Sequence, residues 1–176
     1  MSARAAWRLE SLGFSQIFRY VPGKADWFAS GLPRAGKAAS LPHAGDLARR
    51  DVPSCRLTDH AGDVQQRLQA AGWDLCVVMN DAQVVLGLLR GAALKADFQT
   101  VVEQVMGAGP KTYRPNVSLE TVMNYLRKNE RDDVLITTSD GQLIGLLYRK
   151  DVEREQAQEQ PATSGEAARA HGEGRT

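Results

Sequence analysis

The chain repeats itself at an offset of 58 residues, and no other feature constrains its fold as much. With no gap, Arg56 falls on Arg114, Val64 on Val122, Leu68 on Leu126 and Asp74 on Asp132. "GLL" at 87–89 then falls on "GLL" at 145–147. The patterns agree better than the letters. In the second copy, "SLETVMNYLRKN" (118–129) puts Leu119, Val122, Met123 and Leu126 on one helical face, with Ser118 as N-cap. In the first, "AGDVQQRLQAAG" (61–72) does the same with Ala61, Val64, Leu68 and Ala71, and Asp59 or His60 near its start. Each helix precedes an apolar run of strand length (75–79, 134–138), a tight turn (80–83, 139–142) and a second strand (84–89, 143–148).

A short extended piece leads each helix, "SCRL" or "TYRP", and a final helix is expected at "GAALKA" and at "KDVEREQAQE". Each copy therefore reads β-α-β-β-α. Between them, "TVVEQVM" (100–106) predicts a helix with Thr100 and Glu103 at capping-box spacing. Neither half can bury both faces of so small a sheet, so the two are expected to pack through their strands as one pseudo-two-fold α+β unit.

Composition narrows the function classes. A net charge of +1 gives no bulk argument for nucleic acid or an anionic membrane as partner, and neither is expected. No apolar run is long enough to span a bilayer, and the start does not read as a signal peptide, so a cytoplasmic setting is expected. Cys55 and Cys76 have no metal-ligand spacing with His43, His60 or His171. No metal site is expected, and the cysteines read as buried thiols.

The repeat, with "VEQVM" (102–106), "TYRPNVSLETVMNYL" (112–126) and "LIGLLYRKDV" (143–152), resembles a cystathionine-β-synthase (CBS) domain pair over residues 51–154. The resemblance implies a regulatory module rather than an enzyme. It also implies an adenosine-containing ligand such as AMP, ATP or S-adenosylmethionine in a cleft between the halves, and association into a homodimer. The family motif is Gly-apolar-apolar-Ser/Thr-x-x-Asp. A carboxylate one turn into the last helix can accept both vicinal hydroxyls of a ribose, through charge-assisted bonds of the strong kind.

Copy two carries Gly145, Leu146, Leu147 and Asp151, with Tyr148 at the hydroxyl position. Copy one has Arg90 at that position and Ala93 in place of the carboxylate. At most one side is thus expected to hold a ribosyl ligand, the Asp151 side, where Tyr148 would stack on a base or fill the cleft. Arg149 would meet phosphates or stand solvated. The competing role for Asp151 is a carboxylate favouring the helix dipole, a stabilisation of about 0.3–1 kcal/mol. By the same resemblance Thr112, Tyr113 and Pro115 line a base pocket. Arg90 would bind an anion from the shared cleft or neutralise an acidic neighbour.

Residues 1–36 are expected to form helix (2–14), strand (15–20) and helix (22–33), and resemble the C-terminal end of a rhodanese-like domain. Residues 1–54 contain no cysteine, so the persulfide-carrying thiolate of that family is missing and no sulfur transfer by this chain is expected. Residues 37–50 read as a linker, 51–97 and 98–154 as the two repeats, and 155–176 as a disordered tail holding His171. Two other readings stay open: an assembly module that dimerises without ligand, and the C-terminal part of a longer rhodanese–CBS protein.

Overall fold

The computed structural model describes residues 2–18, 20–36 and 41–159. The expectations for 37–40 and for 160–176, His171 included, lie outside them. The first repeat contains β1 (Ser54–Cys55), α4 (Ala61–Ala71), β2 (Leu75–Met79), β3 (Val85–Arg90) and a 3₁₀ turn (Gly91–Lys95). The second contains β5 (Thr112–Tyr113), α6 (Leu119–Lys128), β6 (Asp133–Thr137), β7 (Leu143–Tyr148) and α7 (Arg149–Glu159). Ahead of the repeats lie α1 (Ser2–Ser11), α2 (Gly23–Ala29) and α3 (Ala44–Leu47), and between them α5 (Val102–Val105) and β4 (Gly107–Ala108).

In each half a parallel strand and an antiparallel hairpin make the sheet. β1 pairs with β2 and β2 with β3; β5 pairs with β6 and β6 with β7. β4 adds a fourth strand to the first sheet, antiparallel to β3. Each helix covers its own sheet: Val64 and Leu68 pack with Cys55, Cys76, Val78 and Leu89, and Val122, Met123 and Leu126 with Val134, Ile136 and Leu147. The seam between halves is built from both: Leu75 and Val77 of the first sheet meet Leu135 and Leu146 of the second. The two hairpin turns also join, Leu143 N–H donating to Gln83 O (3.1 Å) and Val85 N–H to Gly141 O (3.0 Å). This is the strand-to-strand packing that the repeat predicts.

The segments that lead into the repeats cross over. Val102 and Glu103, at the start of α5, donate to the carbonyls of Asp59 and Leu57 (2.9 and 3.1 Å). Ala61 and Gly62, at the start of α4, donate in return to Thr100 and Phe98 (2.8 and 3.1 Å). In the other half Ala44 and Gly45 of α3 donate to Val117 and Pro115 (2.9 and 3.0 Å). The unpaired N–H groups that every helix start presents are thus satisfied largely by carbonyls from the crossing segment. Ser118 alone caps as predicted, its hydroxyl accepting from Thr121 N–H at 3.4 Å. The Thr100–Glu103 capping box does not form; Val101 holds the N-cap position without a side-chain bond. His60, at the N-cap of α4, makes no capping bond either; its Nδ1 lies 3.1 Å from the Gln99 carbonyl oxygen. Gly72 ends α4 with φ of +70°, a left-handed turn suited to glycine.

Three further expectations need correction. Residues 43–50 are not a linker, since α3 lies there and Ala44 and Ala48 are buried in the second half's core. The last helix of copy one shortens to a 3₁₀ turn, where Gly91 adopts a positive φ. No strand forms among the described residues of 15–20: the alternating pattern is present, but no neighbouring strand pairs with it.

α2 is held near the pair, with Phe28 edge-on to His43 (4.9 Å) and Arg34 bonded to Asp46 (3.1 Å). Cys55 and Cys76 are free and buried. A thiol–thiol hydrogen bond, then burial, pushes the Cys76 pKa up, and the same bond lowers that of Cys55.

Candidate functional site

β7 runs directly into α7, so Asp151 falls in the first turn of the helix, over the end of the strand that carries Gly145 to Tyr148. The lead-in segment lies along the same strand. Arg49 N–H donates to Leu146 O at 2.8 Å and Leu146 N–H to Arg49 O at 2.9 Å. Gly145 permits this approach. A Cβ there would stand 2.3 Å from the Arg49 carbonyl oxygen and 2.9 Å from its carbon.

That pairing delivers the Arg49 side chain to Asp151. Arg49 Nε donates to Oδ2 (3.0 Å) and Nη2 to Oδ1 (3.3 Å), a two-point contact joining residues 102 apart. Arg154 Nη2, one turn along α7, donates to Oδ1 at 3.0 Å. The carboxylate is 7% exposed and Arg49 41%. First the hydrogen bond to Asp151, with its charge adding to it, raises the Arg49 pKa above the ordinary arginine value. The Arg49 guanidinium also lies over the Tyr148 ring, 5.0 Å from its centroid, and Lys150 Nζ is 5.1 Å from the same centroid. Burial raises the Tyr148 phenol above its usual pKa.

Asp151 and Tyr148 are therefore brought together, with Gly145 and Leu147 beneath them in β7. The other candidates disperse. Arg149 turns away to Asp132 (3.3 Å) and Glu153 (3.9 Å). Thr112 and Tyr113 lie in β5, where Tyr113 meets Tyr125 edge-on at 5.5 Å and Lys111 Nζ at 5.2 Å. Pro115 supports α3: its carbonyl accepts from Gly45, and its Cβ would stand 2.6 Å from a Cβ at that glycine. Arg90 neutralises an acidic neighbour, donating to Asp133 Oδ1 at 2.6 Å, while its Nε is buried without a partner.

Open space between the halves is found on the copy-one side. A cavity of about 450 Å³ lies there, lined by Arg90, Ala93, Lys111, Tyr125, Arg131 and Asp133 among others. The 58-residue offset explains the contrast. Arg49 and Asp151 of one side correspond to Gly107 and Ala93 of the other, and Tyr148 to Arg90. One side carries the carboxylate with an arginine seated on it, and the other has neither and stands open. Sequence reasoning missed Arg49 by stopping the repeat at residue 51. Carried back to 43, the offset lays "HAGDLARRD" over "VVEQVMGAG" and places Arg49 in the cleft. Among the described residues, no group of acidic, histidine and cysteine side chains could hold a metal ion, and no helix is long and apolar enough to cross a membrane.

Sheet order and crossed lead-in segments give this chain the fold of solved CBS domain pairs. The family model for the CBS domain matches residues 102–157. Solved structures share the fold at low identity. The AMP complex of CBSX2, a protein of Arabidopsis thaliana, superposes with a TM-score of 0.61 at 21% identity, over 66% of this chain and 97% of that one. The cytosolic domain of the Mg²⁺ channel MgtE, solved with ATP, gives 0.61 at 20% identity; 65% of this chain covers 48% of that domain, about half its length. A CBS domain pair solved with 5′-methylthioadenosine and S-adenosyl-L-methionine gives 0.59 at 11% identity, over 68% of this chain and 98% of that one. A search of the curated proteins finds no match.

Proposed function

We propose that this CBS pair is a regulatory module that binds an adenosine-containing ligand on the Asp151 side, with copy one as scaffold, and that it performs no catalysis of its own. The observation that supports this most is Asp151 itself. It is a nearly buried carboxylate in the first turn of α7, over a Gly-Leu-Leu strand end, with both oxygens turned to donors. A charge kept at 7% exposure is costly unless paired, and its pairing geometry is that of a two-donor group. The relatives solved with ATP, AMP or S-adenosyl-L-methionine share the fold in which that carboxylate sits.

A thermal-shift series with AMP, ATP and S-adenosylmethionine tests the reading. A ligand present at a hundred times its Kd stabilises the folded state by about 2.7 kcal/mol, hence by about 5–10 °C for a chain of this size. The shift is expected in wild type and lost in Asp151→Ala. Unchanged melting with all three would overturn the proposal.

A second reading, assembly of two copies, has one observation in its favour: Trp7, Leu12, Phe14, Phe18 and Val21 are all well exposed. Sedimentation of the full chain is expected to give a dimer, and a monomer at micromolar concentration would remove this reading.

A further inference from the structure

We infer that Arg49 is an internal occupant of the Asp151 cleft, so that the site selects nucleosides carrying a phosphate over neutral nucleosides. The inference rests on the ligand side proposed above and concerns which ligand can take it. A ribose presents two adjacent hydroxyl donors, and their natural acceptors are the two oxygens of one carboxylate. Arg49 already fills that role, with Nε on Oδ2 and Nη2 on Oδ1. Its guanidinium also covers the face of Tyr148, the ring surface on which a base would stack. One side chain thus satisfies both groups that a nucleoside would use.

Displacing it requires no refolding. The Arg49 backbone stays tied to Leu146 by two hydrogen bonds, and the side chain is 41% exposed, so it can swing toward solvent about a fixed anchor. The charge then decides which ligand can drive that movement. Arg49 and Arg154 both donate to this one carboxylate, and Lys150 adds a third cation beside the Tyr148 ring. A neutral nucleoside takes the carboxylate and leaves the guanidinium without a counter-charge. A nucleoside phosphate takes the carboxylate and offers the displaced guanidinium an anion, for which its planar fork is well matched. The other cleft has no such device, since glycine and alanine stand at the positions of Arg49 and Asp151.

The test is isothermal titration of the full chain with AMP and with adenosine, in wild type, Arg49→Ala and Arg49→Gln. Wild type is expected to bind AMP at least about tenfold tighter than adenosine, the span of one charge-assisted contact. In both variants adenosine is expected to bind several-fold tighter than in wild type and AMP more weakly, bringing the ratio below about threefold. Adenosine binding that appears only in the variants would support the inference most directly. A ratio unchanged in the variants, or adenosine bound as tightly as AMP by wild type, would overturn it. Arg49→Gln removes the charge but keeps an aliphatic stem and a polar head, so the comparison survives if the alanine variant folds poorly. Failure of both ligands on wild type and variants alike would instead refute the ligand-binding reading itself.

Discussion

Gly145→Val is expected to destabilise the protein by about 3 kcal/mol, lowering Tm by about 6–12 °C. Overpacking often costs less, because a flexible side chain moves aside. Here the obstacle is main chain, with a Cβ meeting the Arg49 carbonyl oxygen at 2.3 Å. Relief requires the lead-in segment to leave β7, breaking both hydrogen bonds between Arg49 and Leu146 and drawing the guanidinium away from Asp151. The chain supplies its own control. Gly87 holds the matching place in copy one, where a Cβ would meet the Met106 sulfur at 2.6 Å and the Gly107 carbonyl oxygen at 3.0 Å. A thioether can rotate, so Gly87→Ala should cost less than Gly145→Ala. Thermal denaturation of the alanine pair reads that order, and equal losses would show that Arg49 is not held against the strand as described.

Leu146→Ala should cost about 3–5 kcal/mol in urea-induced unfolding. Leu146 is fully buried at the seam, among Leu75, Val77 and Leu135. Atoms from both sheets surround the space that truncation would leave, so neither half can close it alone. Leu88, its counterpart in copy one, is only partly buried and borders the open cavity. Water can reach the gap left by Leu88→Ala, and that substitution should cost appreciably less. A larger loss at Leu88 would place the main contact between halves elsewhere than the Leu75–Leu146 cluster.

Residues whose neighbours lie close in sequence were the readable ones. The bounds of α4, β2 and β7 match their patterns at 61–71, 75–79 and 143–148, because an amphipathic helix or buried strand prints its period on the chain. The seam followed from the repeat. What escaped was set by distant contacts. α3 has four residues, too few to show a period, and Arg49 joins the second sheet through a single bridge. Thr100 and Glu103 had capping-box spacing, but carbonyls of Leu57 and Asp59 took the helix start first. At 15–20 alternation was present and a partner strand was not. At the site, Asp151 and Tyr148 were legible from the motif, while their connection through Arg49 depends on a contact 102 residues long.

The crossed lead-in segments also set the order in which the chain can be completed as it is synthesised. The first sheet receives its last strand early, because β4 is the next strand after β3 and the Phe98 and Thr100 carbonyls, on the way into α5, close the start of α4 in the same passage. The second sheet works in reverse: the strand position it needs, at Arg49, is made long before Leu146 and Asp151 exist. Until then Arg49 has an unpaired backbone and a cation with no carboxylate to meet. Contacts of such long separation form late and slowly. Of the two sides, the Asp151 cleft is therefore the later to be assembled, after its open counterpart, whose lining residues run only from 88 to 135.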